Sequence, residues 1–168
     1  MSQKKLIVIF LIFLVGGLYG GYSVDFIQND KALSLAFKWF TIPSIIIGMY
    51  YGYHSTFGYN KEVAKWKNII GLLTLTLIIG LMSLKFFQGY LVLYNCNFGT
   101  QDSLVIKGKV KALDFPKTKK PFNNYAIIIE TDSNANITLD VPTNEYFIRQ
   151  IFEKELTLGS LGILYSRQ

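Results

Sequence analysis

Apolar positions run almost unbroken through three segments, residues 6–22, 33–53 and 69–94, and then give way to alternation. Each segment is long enough to cross a bilayer core of roughly 30 Å. Beyond residue 94, charges of both signs appear and apolar residues recur at every second position, the period of a half-buried strand. The pattern predicts a membrane α-helical bundle of three spans over residues 1–94, followed by a small soluble β-rich domain, a barrel or sandwich, over 95–168. The third span is expected to end either at Leu84, before Lys85, or near Tyr94.

Within the tail, residues 104–114 place Ile106, Gly108, Val110 and Ala112 on one face and Lys107, Lys109 and Lys111 on the other. Residues 115–124, with two prolines and three lysines, read as a loop. Residues 125–131 and 137–141 read as a hairpin across the turn-rich 132–136. Thr143 as an N-cap and the stripe Phe147, Ile148, Ile151 and Phe152 predict one short helix to about residue 153. Residues 156–158 and 161–165 read as final strands around Gly159 and Gly162.

The first segment follows Lys4 and Lys5 as a secretory signal would, but it stays apolar through residue 22 with no small-residue cleavage pattern. It is expected to remain as a span. Gly16/Gly20 and Gly17/Gly21 form overlapping G-x-x-x-G patterns, and Gly48/Gly52 repeats the spacing. Glycines four apart share a helix face and admit a second backbone, so these six residues are expected to pack helices, within the chain or between chains as a homo-oligomer. Pro43 is expected to kink the second span. Lys38 and Lys85 are expected to snorkel toward an interface.

The net charge of +6 sits mostly in the membrane half, where eight lysines face three acids, so it reads as a topology signal and nucleic acid is not an expected partner. Lys4, Lys5, Lys61, Lys65 and Lys67 fall on one side of a three-span arrangement, Lys31 and Lys38 on the other. That count places the N-terminus in the cytoplasm and the β domain outside a bacterial inner membrane.

Chemistry-bearing motifs are sparse. A single cysteine, Cys96, excludes an intrachain disulfide, and His54 is the one histidine, without a ligand cluster around it. No phosphate-cradling glycine loop, G-x-S-x-G or H-E-x-x-H is present. Neither enzyme activity nor a cofactor is expected. The one chemical cluster is basic: Lys107, Lys109, Lys111, Lys117, Lys119 and Lys120, with Tyr125 and Arg149, form a candidate surface for an anion or a partner. A strand with Gly108-Lys109-Val110, the hairpin led by Tyr125, Tyr146, and Gly159-Ser160-Leu161-Gly162 resemble small bacterial membrane proteins of uncharacterised function, in which a few spans precede a β-rich tail. That resemblance implies no activity.

Two functional readings follow. The first is a membrane-anchored, non-catalytic protein-interaction module, such as an envelope-complex subunit or an immunity-type protein. The second is a ligand-gated membrane effector whose cytoplasmic β domain binds an anionic messenger, such as a cyclic nucleotide, through the lysines and perturbs the bilayer.

Overall fold

A computed structural model describes residues 3–58, 63–115 and 125–166, with side chains for all of these except residues 3, 4 and 6. Among the described residues there are three helices, α1 (Gln3–Tyr22), α2 (Asn29–Phe57) and α3 (Lys65–Asn97), and six strands. The strands are β1 (Phe26–Ile27), β2 (Asp102–Asp114), β3 (Tyr125–Thr131), β4 (Asn136–Val141), β5 (Ile151–Leu158) and β6 (Leu164–Ser166). The chain divides into two compact units, one of Met1–Tyr19 with Leu33–Tyr90, the other of Gly20–Ala32 with Leu91–Gln168.

In the helical unit α3 is the common partner. A Cβ built on Gly17 of α1 would lie 2.6 Å from the Phe86 Cα, and one on Gly16 would overlap the Tyr90 hydroxyl. Gly48 of α2 faces the Thr76 carbonyl oxygen, at 2.5 Å from a built Cβ, and Gly52 faces Leu72 and Thr76. Small residues thus let backbones approach, as close helix contact requires. Aromatic rings fill the remaining space: Phe13 lies against Phe86, Phe87 and Tyr90, and Phe40 stacks on Phe87 with centroids 4.3 Å apart. Gly20 is buried and accepts a hydrogen bond from Ser23 Oγ, whereas Gly21 faces open space. Pro43 lies inside α2, whose helix is assigned without a break from Asn29 to Phe57.

The outer faces of these helices are apolar. Two of them, α2 and α3, are long and apolar enough to cross a membrane, and only 22% of each apolar window is buried. Ile42, Leu73, Leu77 and Ile46 are among the many large apolar side chains left exposed. A core helix of a water-soluble domain would bury such a window, and contiguous exposed apolar surface on this scale calls for lipid or another apolar partner.

The second unit is a closed antiparallel barrel in the order β1-β4-β3-β2-β5-β6. Its core comprises Phe26, Val110, Ile127, Ile129, Leu139, Val141, Phe152, Leu156 and Leu164. Strand alternation explains the selection, since Val110, Ile129 and Ile127 point inward while Lys109 and Glu130 point outward. A bulge at Lys111 shifts the β2–β3 register between Val110 and Ala112. The 125–141 hairpin forms as expected, with Asn134 taking the left-handed conformation (φ 58) in its turn.

Two sequence expectations need correction. The short helix from Thr143 to about Glu153 does not form; residues 142–150 are a non-helical connection, and β5 begins at Ile151. The apolar stripe that suggested a helix is split between a turn and a strand, because β5 pairs with β2 over eight registers from Lys109↔Ile151 to Asp102↔Leu158. Non-local pairing of that extent outweighs a local helical period. The expected strand over 161–165 is instead a turn leading into Leu164–Ser166. Of the two expected ends for the third apolar helix, the structure excludes Leu84: α3 runs on past Tyr94 to Asn97. The strand β1, within the connection between the first two apolar segments, was not foreseen; it joins β4 and β6 and so closes the barrel.

Candidate interaction surface of the barrel

The basic row on β2 is built by strand period, with Lys107 and Lys109 on the outer face and Lys111 at the bulge. Acids from both neighbouring strands interleave with it. Lys107 Nζ lies 3.1 Å from Glu153 on β5, and Lys111 Nζ lies 3.0 Å from Glu130 on β3. Lys111 also donates to Asn136 Oδ1 at 3.4 Å, and Ser103 bonds Glu155. All these groups are exposed, so each ion pair is worth at most about 1 kcal/mol. They nevertheless place a carboxylate beside each of these two lysines. Lys109 stands opposite Ile151 and makes no ion pair among the described residues.

Tyr125 is not part of that face. It begins β3 near the Asp114 end of β2, half-buried against Phe115 with ring centroids 5.3 Å apart. Seven residue steps along β2 take the chain from Lys107 to Asp114, about 23 Å. Lys117, Lys119 and Lys120 lie outside the described residues. Among the eight candidate residues, backbone pairing brings Lys109 and Arg149 close together: the Arg149 N–H donates to the Val110 carbonyl at 2.7 Å, and the Val110 N–H donates to the Gln150 carbonyl at 2.9 Å.

That pairing frames a feature that the sequence reading missed. The turn Phe147–Gln150 is cross-braced twice: the Gln150 N–H donates to the Phe147 carbonyl, and the Phe147 N–H donates to Gln150 Oε1 at 3.0 Å. Arg149 takes the left-handed conformation with φ 71, which is uncommon for a residue bearing a Cβ. One residue before the turn, Tyr146 packs on the core residue Phe152 with ring centroids 6.1 Å apart. Burial, and secondarily the Glu145 carboxylate, push the Tyr146 hydroxyl above its usual pKa of 10.0. With the turn braced and its base anchored, Phe147, Ile148 and Ile151 project to solvent, 62%, 57% and 67% exposed. Three large apolar side chains and two cations, Lys109 and Arg149, thus share one end of β5. The absence of a helical N–H ladder over 142–150 is what turns this stripe outward.

Among the described residues no group of three His, Cys, Asp or Glu side chains could hold a metal ion. His54 lies in α2 against Tyr50 and Tyr53, and Cys96 is buried near the end of α3. Comparison with known proteins finds no matching family model, no matching curated protein and no matching solved structure.

Proposed function

We propose that this chain is a membrane-anchored, non-catalytic protein-interaction module whose barrel offers the Phe147–Ile151 tip to a partner protein. The single observation that carries this reading is the braced turn with its three exposed apolar residues. Preorganised apolar anchors flanked by cations are what a binding hot spot needs, because little conformational entropy is lost when they are covered. Anchoring is supported by the apolar outer faces of α2 and α3.

The finer membrane reading has α1 as a third span. Its 20 residues correspond to about 30 Å of helix, enough for a bilayer core. Lys38 and Lys85 each precede by two residues the stacked pair Phe40 and Phe87. Because α2 and α3 run antiparallel, the two lysines fall on opposite sides of that stack, about 6 Å apart along the axis, close enough for both to snorkel to one interface. An N-terminus in the cytoplasm, an external barrel and a bacterial inner-membrane location rest on the lysine count of the connections. The messenger-gated alternative has less support, since Glu153 and Glu130 already engage Lys107 and Lys111.

The test is photo-crosslinking in the host cell from a reactive residue at Ile148 of the full-length protein, with the same residue at Asp132 as control. A discrete protein adduct from position 148 alone, lost on Arg149→Glu, is expected. Equal labelling from both positions, or none from 148, would remove the tip from the account. A compartment-specific reporter after Gln168 tests the side independently; a cytoplasmic tail would return the messenger-gated reading to first place.

A further inference from the structure

We propose that the turn joining β5 to β6 is a latch held by Asn95 at the end of α3, and that this latch keeps the β1–β6 seam of the barrel shut. The inference concerns the closure of the barrel and does not depend on which partner the tip binds.

The two strands at the seam, β1 and β6, are the least paired of the sheet. β1 meets β4 at one register, Ile27↔Asp140, and meets β6 at two, Phe26↔Ser166 and Ile27↔Tyr165. β6 meets β5 at two more, whereas β2 and β5 share eight. Short strands with few ladder bonds belong to the low-stability end of a fold and open first. Yet Phe26, Ile27, Leu164 and Tyr165 are all buried, so something other than strand pairing holds them.

Asn95 supplies the hold. Its side chain is fully buried, and its amide groups bond the backbone of the turn from both sides. Nδ2 donates to the Ile163 carbonyl at 3.0 Å, while Oδ1 accepts from the Leu161 N–H at 2.9 Å and the Ile163 N–H at 3.4 Å. Gly159 leaves the space that Asn95 occupies; a Cβ there would overlap its side-chain amide. Gly162 turns the chain in the left-handed region (φ 69), with its N–H on the Gly159 carbonyl at 2.7 Å.

Two further contacts tie the same turn and strand to helix ends. Lys31, in the first turn of α2, donates to the Gly162 carbonyl at 2.5 Å. The Tyr165 hydroxyl on β6 donates to Gln101 Oε1 at 2.8 Å and approaches the Cys96 carbonyl at 3.4 Å. Gln101 Nε2 in turn donates to the Asn95 and Phe98 carbonyls. A buried amide satisfied almost wholly by one turn is costly to leave unpaired, so Asn95 and the turn stay docked together or separate together. Displacing the last turn of α3 would therefore release β6, and with it β1, while the β2–β3–β4–β5 part of the sheet persists. Asn95 is a positioning residue for this seam.

The experiment is amide hydrogen exchange on the full-length protein in detergent micelles, comparing wild type with Asn95→Asp and Gly162→Ala. Once ionised, the carboxylate introduced by Asn95→Asp has no proton to donate to the Ile163 carbonyl, and its burial shifts that ionisation toward higher pH, so the comparison is made on the alkaline side. Protection of the Phe26, Ile27, Tyr165 and Ser166 amides is expected to fall at least about tenfold, with β2 and β3 amides unchanged. Acidification protonates the new side chain, restores a donor and is expected to restore that protection relative to wild type at the same pH; Lys31 and Tyr165, which bond the same turn and the end of α3, and the adjacent Cys96 are common to both proteins. Gly162→Ala strains the turn without touching Asn95 and should expose the same amides at every pH. Seam protection within about twofold of wild type in both variants overturns the latch, as does a uniform loss across all strands, which would make Asn95 a general stability residue.

Discussion

Gly17 on α1 and Gly89 on α3 meet backbone to backbone: a Cβ built on Gly89 would overlap the Gly17 carbonyl. Neither helix can yield by a rotamer change, because the obstacle is main chain. Gly89→Ala is therefore expected to separate the pair and cost about 1–3 kcal/mol, the usual penalty for overpacking. Thermal unfolding in detergent should show it. Gly21→Leu, into open space, should leave that midpoint unchanged; if Gly21 instead packs between chains, the substitution lowers the assembly mass.

Arg149 and Asn134 hold the left-handed conformation without being glycine. Replacement of Arg149 by Gly removes a conformational cost of about 1–2 kcal/mol and keeps the N–H that bonds Val110. The gain is partly offset by the greater freedom of Gly in the unfolded chain, so a net stabilisation near the lower figure is expected in denaturant unfolding. The same substitution should weaken partner adducts from position 148, because it deletes a cation at the tip. Stability and binding would then move in opposite directions, as they do where strain serves a site.

Phe147→Asp and Ile148→Asp change side chains that the fold leaves in water. Each is expected to shift unfolding by no more than about 0.5 kcal/mol, the range of ordinary surface substitutions, while abolishing the adduct. A large loss of stability from either would mean that these residues pack against the barrel rather than await a partner.

The fold was legible where one face repeats. The three apolar segments follow from near-unbroken apolar runs, and the 125–141 hairpin and the β2 alternation of Val110 against Lys109 from local pattern, and the structure keeps all of them. Residues 143–153 were illegible because Phe147, Ile148, Ile151 and Phe152 satisfy a helical spacing, and only the partner strand β2 decides otherwise. One cue was present: Ile151 to Leu156 alternates once Lys154 is allowed to point inward, where its ammonium sits 3.5 Å above the Phe26 ring. β1 was illegible for a different reason, since two residues between helices carry no period at all. Of the candidate site, the lysine row was found but its carboxylate neighbours were not, because cross-strand partners such as Glu153 depend on register. The tip was hidden behind the helix reading.

Tyr146 gives the barrel an alkaline limit. Burial first, and the Glu145 carboxylate second, raise its hydroxyl above 10.0, so the folded barrel holds this proton more tightly than the unfolded chain does. The contribution to stability is complete below the unfolded pKa and is lost as pH climbs from there through the folded value. Wild-type unfolding free energy should therefore decline above about pH 10 more steeply than that of Tyr146→Phe, which has no proton to lose. Every other ionisable group is common to both proteins, so the difference between the two curves isolates the phenol. Parallel curves above pH 10 would show that Tyr146 is solvated in the folded state, and would loosen the anchor on which the braced turn depends.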